Sequence, residues 1–346
     1  MGVSPLYILV ETVKKITFTL ITCEVMIMKK ICILLACALL LVLAGCKKKA
    51  DNTENTIKIG ISKIILHPAL DAIEQGIKDE LAEAGFTNIV YDSQNANGEI
   101  ATASSIANLY KQENMTVSIG IATPMALALA NQIKDKSVVF SAVSDPIGAG
   151  IRSTLEAESG NITGVSDMAP VRQQILLITK LKPGIKRIGH IYTPGEANSI
   201  SMRNVAQETC DELGIELVLS TVTNTSEVKQ AATVLAPKVE AIYISNDNTV
   251  VAALAGLCES ATRAGVPVIS ADPSSAASSG VTVAYGIDNY QTGRATGKIV
   301  ARILRGEKPS EIPVKLMSEP HELAAYVDMA LIERFGLNLP AELHNR

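Results

Sequence analysis

The sequence predicts an α/β protein built as two doubly wound parallel-sheet lobes, and three observations carry that expectation. From Ile57 onward short β-branched runs alternate with longer segments of helical period. The alternation occurs twice over. The roughly 300 residues involved are too many for one such sheet and comfortable for two.

The strands of the first lobe are read at Ile57-Ile61, Asn88-Tyr91, Val117-Ile121 and Val138-Val143, and Ile162-Ser166 is strand-like. Helices Pro68-Ala84, Ile100-Gln112 and Pro124-Lys134 separate the first four. The second lobe repeats the pattern with strands Arg187-Tyr192, Glu216-Ser220, Ala241-Ser245, Val266-Ser270 and Val281-Tyr285. Its helices are Ser199-Leu213 and Thr249-Ala264, and Tyr290-Arg305 follows. Glycines after Ala84, Leu213 and Ala264 mark helix ends. The Gly-rich Ile147-Gly148-Ala149-Gly150 and then the strand-like Ile162-Ser166 lead into the second lobe, and the extended Ile312-Pro313-Val314 suggests that the chain returns to the first lobe and crosses again. The expected division is 57–166 plus 286–313 for the first lobe and 167–285 plus 314–346 for the second. Multiple crossovers make a hinge.

The first 46 residues differ in composition from the rest. Lys29-Lys30, the uncharged run Ile31 to Gly45 and the small residues before Cys46 look like a bacterial lipoprotein signal. The run is shorter than the roughly 20 apolar residues a spanning helix needs, and Lys47-Lys48-Lys49 follow it at once. Cys46 would carry the lipid and anchor the protein on the extracytoplasmic face of the cell membrane. Met28 begins a complete signal by itself and is the expected true start; residues 47–56 read as a polar tether. Of the remaining thiols, Cys210 and Cys258 are expected to be buried and free. Beyond Cys46 stand 27 basic and 33 acidic side chains, so nucleic acid is not an expected partner.

Several enzyme classes lack their parts. The body has no dinucleotide-binding or phosphate-cradling glycine turn and no nucleophile elbow. His67, His190, His321 and His344 are scattered, so no metal or other cofactor is expected. His190 lies inside a strand and reads as a core histidine. Aromatic residues are 3% and Trp is absent, which disfavours a sugar stacked between rings.

In open α/β sheets ligands sit beyond the carboxyl ends of the strands. There the sequence places His67, then Thr123 and Pro124, then Ser144 and Asp145, with Asp167 after the fifth run. The second lobe places Glu196, Asn198 and Ser199, then Asn246, Asp247, Asn248 and Thr249, then Asp272. A free amino acid needs donors for its carboxylate and acceptors for its ammonium. The helix starts at Thr123 and at Asn198-Ser199 suit the carboxylate. Asp145, Asp167, Asp247 or Asp272 suits the ammonium. Each residue is also ordinary loop punctuation, so the set carries the argument rather than its members. His67, before a proline at a helix start, reads equally as a hinge or packing residue.

These motifs resemble the ABC-type substrate-binding lipoproteins that include tryptophan- and tyrosine-binding proteins. The resemblance rests on His67-Pro68-Ala69-Leu70-Asp71, Ala122-Thr123-Pro124, the run Ser144 to Gly150, Gly164-Val165-Ser166-Asp167, Tyr192 to Ser199, Asn246-Asp247-Asn248-Thr249, and the ending Tyr326 to Ala330 with Gly336 to Pro340. It implies a type I periplasmic-binding-protein fold with a three-crossover hinge. It also implies an aromatic amino acid as the solute, an ABC permease and its ATPase as partners, and no enzymatic activity; a monomer is expected. A sensor that presents its ligand state without transport, or a binding protein for another small solute, is the competing reading. No helix-turn-helix precedes Ile57, which excludes a repressor built on the same core.

Overall fold

Runs rich in Ile and Val fold as strands buried on both faces, because a parallel sheet covered by helices on each side leaves no wet face. The computed structural model describes residue 14 and residues 56–343. The lipoprotein signal, Met28, Cys46 and the tether up to residue 55 lie outside the described residues. Among the described residues no helix is long and apolar enough to cross a membrane.

The first lobe begins β1 (Ile57–Lys63), α1 (Pro68–Glu83), β2 (Ile89–Asn95), α2 (Ile100–Gln112), β3 (Val117–Ile121), α3 (Thr123–Gln132), β4 (Ser137–Ser141) and β5 (Ile162–Ser166). After α4 (Val171–Leu181) come β6 (Arg187–Tyr192), α5 (Ala197–Glu212), β7 (Glu216–Thr221), α6 (Thr225–Leu235), β8 (Ala241–Ile244), α7 (Asn248–Ala252), α8 (Leu254–Arg263), β9 (Val268–Ser270), α9 (Pro273–Ser279) and β10 (Val283–Ile287). The chain ends with α10 (Asn289–Leu304), β11 (Lys315–Leu316), β12 (Leu323–Val327) and α11 (Met329–Phe335).

Two six-stranded sheets result, ordered β11-β5-β4-β3-β1-β2 and β12-β10-β9-β8-β6-β7. Each reverses direction beside its first strand, between β1 and β3 and between β6 and β8, and such a reversal opens a crevice at the strands' carboxyl ends. The chain crosses between the sheets after β5, after β10 and after β11. The last two crossings fall slightly later than the sequence suggests. β10 runs to Ile287, and Lys315–Leu316 pairs with β5. The final crossing therefore follows Leu316 rather than residue 313.

β12 departs from the all-parallel expectation by running antiparallel to β10, with Ile287 opposite Leu323. β10 leaves its sheet at the hinge and β12 enters there, so the two must run in opposite directions. The helix read as Thr249-Ala264 is two helices broken at Ala253, whose φ of −113° and ψ of 17° interrupt the helical path. α10 returns to the first lobe and packs on α1 at a glycine contact. A Cβ on Gly293 would stand 2.2 Å from the Ile73 carbonyl oxygen, and one on Gly76 2.4 Å from that of Tyr290. Arg294 ties the same pair by an ion pair of 2.7 Å to Glu80. Cys210 and Cys258 are free and buried, and burial pushes their thiols up to about 11 and about 12.

Candidate functional site

Between the lobes, where the strands of both sheets end, lies a small cavity. His67, Ala69 and Leu70 from the start of α1, Ala122 after β3, and Ala142 and Ser144 after β4 form its first-lobe wall. Asn198, Asn246, Asp247, Asn248, Val251 and Asp272 form the facing wall. Asp167 and Asn289, at the first and second crossings, close the hinge side. No lysine or arginine lines it.

The carboxylates divide into two kinds. Asp247 and Glu196 are fully committed within the second lobe. Asp247 accepts from the Thr193 amide (2.6 Å), the Thr193 hydroxyl (2.9 Å), the Ser199 hydroxyl (2.6 Å) and the Val250 amide (2.9 Å). Glu196 accepts from both nitrogens of Asn248 and from the amide and hydroxyl of Thr249. Burial raises both above the usual carboxylate range, Glu196 with added repulsion from Asp247. Together they occupy the amide groups at the start of α7, so that helix end is closed to a ligand anion. Each Asp247 oxygen already accepts two hydrogen bonds, so the residue braces the loops after β6 and β8 while lining the cavity.

Asp167 and Asp272 are the second kind. Asp272 caps α9 through Oδ1, which accepts from the Ser274 amide (2.9 Å) and Asn289 Nδ2 (3.1 Å). Its Oδ2 is buried with no partner. Asp167 accepts from the Ser144 hydroxyl at 3.1 Å and, across the cleft, from Asn246 Nδ2 at 3.3 Å. Burial pushes its carboxyl up to about 6, and the Asp272 charge adds to the rise. A buried acceptor without a donor is costly, and a cation in the cavity would supply one.

His67 lines the cavity with both ring nitrogens buried and unpartnered. Burial holds its imidazole below the ordinary value against the pull of Asp272. The sequence left it between hinge and ligand roles; the structure turns its ring to the cavity. Asn198 donates to the Asn246 carbonyl (2.8 Å) and leaves its own carbonyl oxygen unpartnered.

Other predicted residues stand elsewhere. Asp145 lies outside the cavity. Its Oδ1 accepts from the Gly148 amide (2.8 Å), and its Oδ2 accepts from the Ser201 hydroxyl of the opposite lobe (3.0 Å). A Cβ on Gly148 would stand 2.1 Å from Asp145 Oδ2, so a larger residue there would push the carboxylate aside. Thr123 starts α3 but does not cap it. The N-cap is Ala122, at φ 75° and without a side-chain bond, and the Thr123 hydroxyl is buried unpartnered. Ser199 is spent on Asp247, while Pro124, Glu196 and Thr249 line a second space on the far side of Asn248.

Sequence reasoning missed Ala122, Ala142 and Asn289. Both alanines take positive φ, 75° and 53°, where a Cβ is strained. Nothing in an alanine code signals that. Asn289 carried a readable signal, an Asp288-Asn289 pair directly after a strand. His190 is the expected core histidine, with its Nδ1 3.0 Å from the Tyr243 carbonyl oxygen, and burial pushes it down to about 4.

Comparison with known proteins matches residues 58–341 to the family described as ABC transporter substrate binding protein. The tyrosine-binding protein of Clostridioides difficile (strain R20291) is 32% identical over 275 residues, 79% of each chain. The structure of an ABC domain from Streptococcus pneumonia in complex with L-Trp is 30% identical. It aligns with a TM-score of 0.79 over 84% of this chain and 98% of its own. The ligand-free, open structure of a substrate-binding protein with adhesive properties from Clostridium difficile is 31% identical, over 83% of this chain and 97% of its own. It reaches a TM-score of only 0.63.

Proposed function

The chain belongs to the family of ABC transporter substrate-binding proteins, a family of solute binders rather than enzymes, and on that premise we propose that it captures an aromatic L-amino acid in the interlobe cavity. The carrying observation is the pair Asp167 and Asp272, buried in a cavity that no lysine or arginine lines. An ammonium group supplies the donor that Asp272 Oδ2 lacks. The ligand carboxylate goes to the first lobe, where α1 and α3 begin with Pro in their first turn and no side-chain cap. Their amide groups and helix dipoles favour an anion. Relatives that bind tyrosine and tryptophan support the aromatic choice.

We further propose that the protein is lipid-anchored through Cys46 on the extracytoplasmic face and delivers its solute to an ABC permease driven by a cytoplasmic ATPase. Calorimetric titration of residues 47–346 with L-tryptophan, L-tyrosine and L-phenylalanine tests the ligand reading. Saturable binding is expected, and Asp272→Asn should weaken it by about 1.5–3 kcal/mol, the worth of a hydrogen bond to a charged group. No heat from any of the three, or full affinity in the variant, would contradict the proposal.

A further inference from the structure

The three crossings are stitched together by backbone hydrogen bonds that meet in the third. The Met317 amide donates to the Ser166 carbonyl oxygen (3.0 Å), which joins the third crossing to the first. The Asp288 amide donates to the Glu322 carbonyl oxygen (2.8 Å), which joins the second to the third. The residues next along the chain are those of the cavity. Asp167 follows Ser166, and Asn289 follows Asp288 and donates from Nδ2 to Asp272 Oδ1 (3.1 Å). Both carboxylates assigned to the ammonium therefore hang from the same short segment.

That segment turns between Ser318 and Glu322 without a sheet partner, so its amides need another acceptor. Glu322 is that acceptor. Its Oε2 accepts from the Ser318 amide (2.8 Å) and the Glu319 amide (2.9 Å), and its Oε1 pairs with Lys315 Nζ at 2.7 Å. The residue is buried, whereas the Lys315 side chain is 40% exposed, so the amide bonds rather than the ion pair hold the turn. Glu322 lines a groove with Arg294, Lys298 and His321 and does not line the cavity.

We propose that Glu322 is a positioning residue for solute binding: without touching the cavity, it holds the third crossing in one shape and so sets the spacing of Asp167 and Asp272. The proposal rests on the amino-acid reading above for the identity of the solute, and on the stitched crossings for the spacing.

Glu322→Gln keeps an oxygen for both amides and gives up only the ion pair; Glu322→Ala gives up both. Glu322→Asp keeps the charge one carbon short of the amides and serves in place of an alanine variant that does not fold. Each is titrated calorimetrically with L-tryptophan and L-tyrosine. In ligand-free protein the Asp167 carboxyl is followed by carbon-13 NMR, its signal assigned by Asp167→Asn. In Glu322→Ala the affinity is expected to fall by about fivefold or more. The Asp167 midpoint should drop from about 6 to below about 5, as entering water and a more distant Asp272 weaken the causes of its rise. Glu322→Gln should keep the affinity within about twofold and the midpoint in place. A Glu322→Ala protein that melts earlier with affinity and midpoint unchanged has lost stability alone and overturns the proposal. So does a Glu322→Gln protein as impaired as Glu322→Ala. If the unsubstituted protein binds neither amino acid while the midpoint still drops in Glu322→Ala, the amino-acid reading fails and the positioning role stands.

Discussion

At the scale of single residues, the cleft depends on which carboxylates have spare oxygens. Asp247 and Glu196 are spent on amides and hydroxyls of their own lobe, whereas Asp167 accepts from Ser144 and, across the cleft, from Asn246, and burial pushes it up to about 6. The sign of the pH effect follows. In the empty cleft Asp167 keeps a proton below about 6, well above its ordinary 3.8. Without ligand, this group costs stability above about 6, and the cost is relieved as pH falls from there through 3.8. Ligand binding runs the other way, because an ammonium pairs with the ionised form. Affinity is expected to be level from pH 8 to about 6 and to fall by up to about tenfold per unit below that, the limit for one linked proton. Titrations at pH 7.5, 6 and 5 check this, and Asp167→Asn should both weaken binding and flatten the profile. A slope that survives in the variant assigns the effect elsewhere.

At the scale of elements, closure brings α5 against the loop after β4, where Ser201 donates to Asp145 Oδ2 at 3.0 Å. This contact lies outside the cavity and exists only when the lobes meet. Ser201→Ala is therefore expected to favour opening by about 1 kcal/mol, a charge-assisted bond discounted for its partial exposure. That is roughly a fivefold rise in Kd, equal for every ligand and carried by dissociation rather than association. Stopped-flow titration separates the rates; a change confined to one ligand would make Ser201 part of a side-chain pocket instead.

The alternation of strands and helices was readable in the sequence because parallel strands buried on both faces are short, mostly apolar or small runs with no polar-facing alternation, as at Val117–Ile121 and Ala241–Ile244. The polar loops at the strand ends were readable too, since Asp, Asn and Ser punctuate helix starts. What each loop residue faces was not. Asp145 and Asp247 are the same residue type in similar turns, and only tertiary placement makes one an interlobe contact and the other a brace. The direction of β12 was equally hidden, because it depends on where the chain re-enters the second lobe. Ala122 and Ala142 shape the cavity through backbone angles that their side chains do not announce.

At the scale of the whole molecule, three chain crossings join two lobes that each supply half of the cavity. First-lobe helix starts face second-lobe Asp272 and Asn198, so neither lobe alone can satisfy both ends of an amino acid. A ligand that bridges the two must favour the closed arrangement, and by that difference in affinity it shifts the population. The chain as a whole aligns with the L-Trp-bound relative at a TM-score of 0.79 and with the open, ligand-free one at 0.63. Small-angle X-ray scattering of residues 47–346, alone and with saturating L-tryptophan or L-tyrosine, tests the account most directly. The radius of gyration should fall on adding either amino acid and stay unchanged with a nucleoside or a sugar. A radius that does not respond to any aromatic amino acid, or that contracts with a sugar instead, would contradict the account.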